Sequence, residues 1–115
     1  MVIDNELCIC LLQEELERNG KIQLTVHGDS MLPNIKDGEV VTVVKSKQHN
    51  IGDVIAYYTI RDKKVNIIVH RAIFVRKTYV LAKGDNNNFI DPIKIDLNFI
   101  FGKVESERGE KNVRL

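Results

Sequence analysis

The sequence is short of three things, and each shortage removes a class of function. Cysteine is the first. There are two, Cys8 and Cys10, one residue apart, and a disulfide framework needs cysteines spread along the chain. A structural metal site would need a second Cys or His cluster at ligand spacing, and the sequence offers none, so neither metal nor cofactor is expected. The two thiols read as small semi-buried side chains that fit a reducing compartment. The second shortage is charge of one sign. With 17 basic and 16 acidic residues the formal net charge is +1, and no basic stripe is present, so a nucleic-acid partner is not expected. The third is a long apolar run. A membrane-spanning helix needs about 20 mostly apolar residues. The N-terminal uncharged stretch, Leu7 to Gln13, is closed off by Asp4 and Glu6 on one side and by Glu14, Glu15 and Glu17 on the other. A secretion signal would open on basic residues, and this segment is acidic. The expectation is a cytoplasmic protein without an integral membrane segment, for which peripheral or partner-mediated contact with the inner membrane face stays open.

What the sequence does have is the make-up of one soluble domain: 115 residues, 43% hydrophobic and 29% charged, enough for a single core. Residues 4 to 18 are expected to form a short amphipathic helix on which Leu7, Leu11 and Leu12 share a face and Leu16 roughly continues it. Asn19-Gly20 stops it. The periodicity then changes to strands. Ile22, Leu24 and Val26 alternate with Gln23 and Thr25. Val40 to Val44 is a short apolar run, and Val54 to Ile60 leads through a hairpin tip at Asp62-Lys63-Lys64 into the β-branched stretch Val65 to Val75. Tyr79 to Ala82, the alternation of Ile93, Ile95 and Leu97, and Phe99 to Val104 complete the set. The expected fold is mainly β, a compact antiparallel domain of six to seven strands. It comprises an N-terminal helical segment (1–19), a β core (20–104) and a polar tail (105–115) expected to fray.

Three segments could carry chemistry. In Gly28-Asp29-Ser30-Met31-Leu32-Pro33 a serine follows a strand and a glycine, which leaves its hydroxyl at a strand end, although serine in a turn is ordinarily turn chemistry. In Ile67-Ile68-Val69-His70-Arg71 the histidine shares a strand face with Ile68, Ala72 and Phe74. Taken alone it reads first as a core histidine satisfied by a hydrogen bond, although a general base for serine needs this same partly desolvated setting. In Lys83-Gly84-Asp85-Asn86-Asn87-Asn88, followed by Asp91-Pro92, a Gly-Asp turn could fix a carboxylate, or simply form a solvated loop. His27, three residues before Ser30, is a rival base that would need the chain to fold back sharply. His49 lies in a polar loop and is expected to be solvated. The asparagine run lacks the carboxylates of a calcium loop.

Taken in order, these segments and those between them form a series: Ser30-Met31-x-Pro33, Asp37-Gly38, Ile51-Gly52-Asp53-Val54, His70-Arg71, Gly84-Asp85-Asn86-Asn87, Asp91 and Phe101-Gly102-Lys103-Val104. The series resembles the signal peptidase I superfamily from about Gly20 to Val104. The bacterial leader peptidases and the SOS-type self-cleaving repressors use lysine as base. His70 at the matching position resembles the archaeal, endoplasmic-reticulum and sporulation-type branch, in a small soluble form without the usual anchor ahead of the serine box. The resemblance implies Ser30 as nucleophile, His70 as base, Asp91 as the carboxylate that orients it and Asp85 in support, two aspartates six residues apart. It implies the Ser30 backbone N–H as oxyanion donor, with Met31, Pro33 and Ile68 meeting substrate.

The function so implied is a serine endopeptidase that removes a leader or signal-type segment from a peptide or precursor protein bound as an extended strand. The alternative is a non-catalytic peptide-binding module or regulator that keeps the fold. A self-cleaving repressor would need a DNA-binding domain, and the 20 residues before the first strand leave no room for one.

Overall fold

The computed structural model describes residues 5–105, and from Cys8 onward the side chains as well. Helix α1 (Asn5–Asn19) is followed by strands β1 (Lys21–Thr25), β2 (Val40–Val44), β3 (Val54–Arg61), β4 (Lys64–Val75), β5 (Tyr79–Lys83) and β6 (Ile95–Asp96), a single 3₁₀ turn (Leu97–Phe99) and β7 (Ile100–Glu105). Over the described residues the fold is mainly β, with seven antiparallel strands in one sheet and one N-terminal helix. The expected polar tail falls almost wholly outside the described residues.

Helix α1 ends where a non-helical backbone is required: Gly20 has φ +78°, a region glycine enters without a Cβ penalty. The helix buries Ile9 and Leu16, with Leu12 packed beside them, against Ile22, Val41 and Val43. This corrects the expected face. Leu11 is 55% exposed, and the side chain of Leu7 lies outside the described residues. Ile9, Leu12 and Leu16 follow one another at steps of three and four, so they fall on a single stripe, while Leu11 is turned about 100° away from Leu12.

The strand order is β1-β2-β7-β3-β4-β5-β6. The pairs β1–β2, β3–β4 and β4–β5 are sequential hairpins, but β7 enters between β2 and β3 and pairs with both. Its approach to β2 leaves no room for a side chain at Gly102, where a Cβ would lie 2.0 Å from the Val44 carbonyl oxygen. Two cores result. The larger holds α1, Met31, Ile35, Val43, Ala56 and Phe101. The smaller holds Ile55, Tyr57, Ala72, Val80, Ala82 and Ile95, with Ile68 against it. The register of β4 against β5 shifts between Ala72 and Phe74. A bulge there breaks the period of two. Val75 therefore packs on the smaller core, while Phe74, expected on the His70 face, lies beneath the Arg76 guanidinium at 3.9 Å.

Candidate active site

Three elements converge on one point. The first is the loop from Val26 to Glu39, closed at its base by Val26 N–H donating to the Glu39 carbonyl at 2.8 Å and Gly38 N–H donating to the Val26 carbonyl at 2.7 Å. Met31 and Ile35 plug the loop into the larger core at 0% and 6% exposure. That burial fixes the backbone on either side of Ser30. The second element is β4, on which His70 sits directly opposite Ile55 of β3, at the margin of the smaller core. The third is the segment from Gly84 to Lys94 between β5 and β6. Asp91 N–H donates to the Ala82 carbonyl at 2.8 Å and so ties its residue back to β5.

The side chains complete a hydrogen-bonded line. His70 Nε2 lies 3.1 Å from Ser30 Oγ, and His70 Nδ1 lies 2.6 Å from Asp91 Oδ2. An ionised carboxylate only accepts hydrogen bonds, so Nδ1 carries the proton and donates to Asp91. This leaves the Nε2 lone pair to accept from the Ser30 hydroxyl. The side chains of His70 and Asp91 are each 12% exposed, which limits how far water can loosen the pair.

Asp85 is placed differently. Arg71 Nε and Nη2 grip its two oxygens, both at 2.8 Å, and Asn34 Nδ2 donates to Oδ2 at 2.8 Å. Arg71 Nη1 also donates to the Gly52 carbonyl at 2.7 Å. Burial pushes the Asp85 carboxyl up, but the hydrogen bonds from Arg71 and Asn34, with the charges of Arg71 and Lys83, outweigh it. The carboxyl is held below the ordinary aspartate value. Asp85 therefore joins β4 to the serine loop without touching His70. Its neighbour Asn86 reinforces the joint, donating from N–H to the Ser30 carbonyl at 2.8 Å and from Nδ2 to the Asp29 carbonyl at 3.1 Å.

A groove of about 440 Å³ opens beside Ser30 and His70, lined by Leu24, Val26 and His27 on the β1 side and by Ile67, Ile68 and Val69 on the β4 side. Of the three residues expected to meet substrate, Ile68 lines it. Met31 does not: it is fully buried, and its thioether accepts the Asp85 N–H at 3.4 Å. An apolar side chain facing the core from a loop gains more by burial than by waiting for a ligand. Pro33 is exposed and stands outside the groove lining. His27 shares the groove wall, but the ring nitrogen on Ser30 belongs to His70. His49 is half-buried rather than solvated: burial lowers its basicity, and its Nδ1 is buried with no hydrogen-bond partner among the described residues.

One polar residue at the site was not foreseen. Tyr57, 1% exposed, donates its phenol to Asp91 Oδ2 at 2.6 Å. It is one of two consecutive tyrosines in an apolar strand run, and a buried tyrosine generally has a partner for its hydroxyl. That rule points to some partner, but only the fold identifies which.

The model of the Peptidase S24-like family matches residues 5–105. The chain belongs to this family, within the superfamily that unites signal peptidases with the SOS-type repressors. The family is of serine-peptidase type. No curated protein sequence matches the chain. Against the resemblance drawn from the motifs, the match bears out the superfamily and the peptidase class at the coarser level. Among the described residues no helix is long and apolar enough to cross a membrane.

Proposed function

We propose that the chain is a serine endopeptidase of the Ser-His-Asp kind that trims a leader or signal-type segment from a peptide or precursor protein. The observation that carries this reading is the unbroken line from Ser30 Oγ through His70 (3.1 Å to Nε2) to Asp91 (2.6 Å from Nδ1). Ser30 Oγ attacks the scissile carbonyl carbon, and its proton passes to His70 Nε2. Asp91 holds the imidazole in the right tautomer and stabilises the imidazolium. The Ser30 backbone N–H faces the developing oxyanion, and the imidazolium then returns the proton to the leaving amine. Repressor-type relatives in the resemblance use lysine; the imidazole 3.1 Å from Ser30 Oγ supports reading this chain with the histidine branch.

The groove supports the way substrate is held. Strand β1 ends the sheet, and β5 covers β4 only from Arg71 onward. Thus Leu24–His27 and Ile67–Val69 line the groove from two sides; Val26 N–H and C=O are taken by Glu39 and Gly38, so an extended segment laid between them would pair with the main-chain groups on the outer edges of the two strands. Apolar walls favour apolar side chains near the cut. The site would meet its substrate in the cytoplasm or at the inner membrane face.

The test is covalent labelling with a fluorophosphonate, followed by mass spectrometry of the peptide that contains residue 30. Labelling of Ser30 that vanishes in Ser30→Ala and falls by at least about 100-fold in His70→Ala is expected. An unlabelled Ser30 in a protein that still binds extended peptides would overturn the peptidase reading in favour of a binding module.

A further inference from the structure

We propose that Tyr57 is a positioning residue for the Ser30–His70–Asp91 line, acting through Asp91 to fix the carboxylate and set the basicity of His70. This rests on the peptidase reading above. The geometry has three parts. Tyr57 pairs with Ile68 across β3 and β4 while Ile55 pairs with His70, so Tyr57 is the diagonal same-face neighbour of His70. Its phenol and the His70 Nδ1–H converge on a single oxygen, Asp91 Oδ2, each at 2.6 Å. Tyr57 is 1% exposed, among the most deeply buried side chains of the domain, and the same-face core around it holds the ring in place.

Two consequences follow from chemistry. The main chain of Asp91 is tied to β5, but its carboxylate can still rotate about Cβ–Cγ. A second donor on Oδ2, supplied by a rigid strand, removes that freedom and keeps the oxygen in line with Nδ1. A second donor also draws negative charge from Oδ2. The imidazolium that forms when Ser30 yields its proton then feels a weaker counter-charge than it would beside a carboxylate without the phenol. Burial, then the Asp91 hydrogen bond and charge, raise the Tyr57 phenol far above its ordinary value. It therefore remains a donor throughout the range in which a histidine titrates. Other ionisable groups around the site include His27 across the groove, Asp29 beside Ser30, the mutually paired Arg71 and Asp85, and Lys83 beside them. None of these sits on Oδ2.

The experiment compares wild type with Tyr57→Phe, which keeps the ring and removes the donor. It uses NMR titration of the histidine side chains and the pH dependence of fluorophosphonate labelling. His70 should titrate higher in Tyr57→Phe by roughly half a unit to one unit, with the acid limb of labelling moving up by the same amount. Labelling at the pH optimum should fall roughly 2- to 10-fold. Fluorotyrosine incorporated throughout supplies a second measurement that leaves the fold intact. It makes the phenol a stronger donor and should move His70 down. An unmoved or oppositely moved His70 in either protein overturns the proposal. The His70 titration does not need turnover, and Ser30→Ala labelling runs beside it. A failed peptidase reading would appear as label elsewhere than Ser30, and a failed role for Tyr57 as normal Ser30 labelling with an unshifted His70.

Discussion

Gly84 is the position at which a single methyl group should disturb the placement of Ser30 together with the stability of the domain. It is buried and precedes the aspartate that Arg71 grips. A Cβ added there would lie 2.7 Å from the Ser30 carbonyl oxygen and 2.6 Å from Asn87 Nδ2. A carbon rests against a carbonyl oxygen at about 3.3 Å or more, so roughly 0.6 Å must be found. The Asn87 side chain can swing aside. The Ser30 carbonyl is main chain, and it also accepts from Asn86 N–H at 2.8 Å. If the serine loop yields, the 3.1 Å contact between Ser30 Oγ and His70 Nε2 stretches beyond ordinary hydrogen-bond range. If the Gly84 side yields, the clamp formed by Asp85 and Asn86 opens instead. Either response misplaces the serine by about half an ångström. The expected losses are roughly 10- to 100-fold in the labelling rate of Ser30 and about 1–3 kcal/mol in stability, a fall of about 5–15 °C in Tm for a domain this size. Labelling kinetics and thermal melting on the same preparation check both. A Gly84→Ala protein that labels at the wild-type rate would refute the claim that this contact sets the position of Ser30.

Three other outcomes are expected. Leu16→Ala should cost about 2–4 kcal/mol in urea unfolding, whereas Leu11→Ala should stay within about 0.5 kcal/mol, because only the former faces the core. Lys63→Gly should raise stability by about 0.5–1 kcal/mol, read as a higher urea midpoint: Asp62 and Lys63 both have positive φ, 51° and 63°, in a hairpin turn that glycine enters more readily. Asp85 has a depressed folded-state pKa. Its stabilising effect is full above the unfolded value of about 3.9 and is lost as pH falls through the folded value. The stability gap between wild type and Asp85→Asn should be constant from about pH 5 to 7 and close on acidification, and a gap that widens toward low pH would contradict the ion pairing.

Strand positions were legible because they depend on local pattern. The runs Val40 to Val44, Val54 to Ile60 and Val65 to Val75 each became a strand with ends within a residue of those expected. The meeting of Ser30, His70 and Asp91 was legible only through the order of short motifs, since 40 residues separate the serine from the histidine. Asp85 and Asp91 could not be assigned from spacing alone. The outcome depends on Arg71, which captures the nearer aspartate and leaves the farther one for His70. What escaped depends on phase and on non-local pairing. One helical step decides between Ile9 and Leu11, one bulge at Ile73 moves Phe74 off its face, and the insertion of β7 between β2 and β3 has no local signature. Tyr57 escaped because a hydroxyl in an apolar strand announces a need for a partner without naming it.

The position of β7 also bears on the order of events during synthesis. Before Ile100 emerges, the chain can form two hairpin-built pieces: α1 with β1 and β2, which carries the serine loop, and β3 to β6, which carries His70 and Asp91. The described strand that hydrogen-bonds to both pieces is β7. A nascent chain that has emerged only as far as Phe99 therefore holds Ser30 and His70 on separate halves, without the described strand that pairs with both. On the peptidase reading proposed above, β7 joins the contacts of Asp85 and Asn86 with the serine loop in completing the line, and a growing chain would gain it only once the sheet is closed.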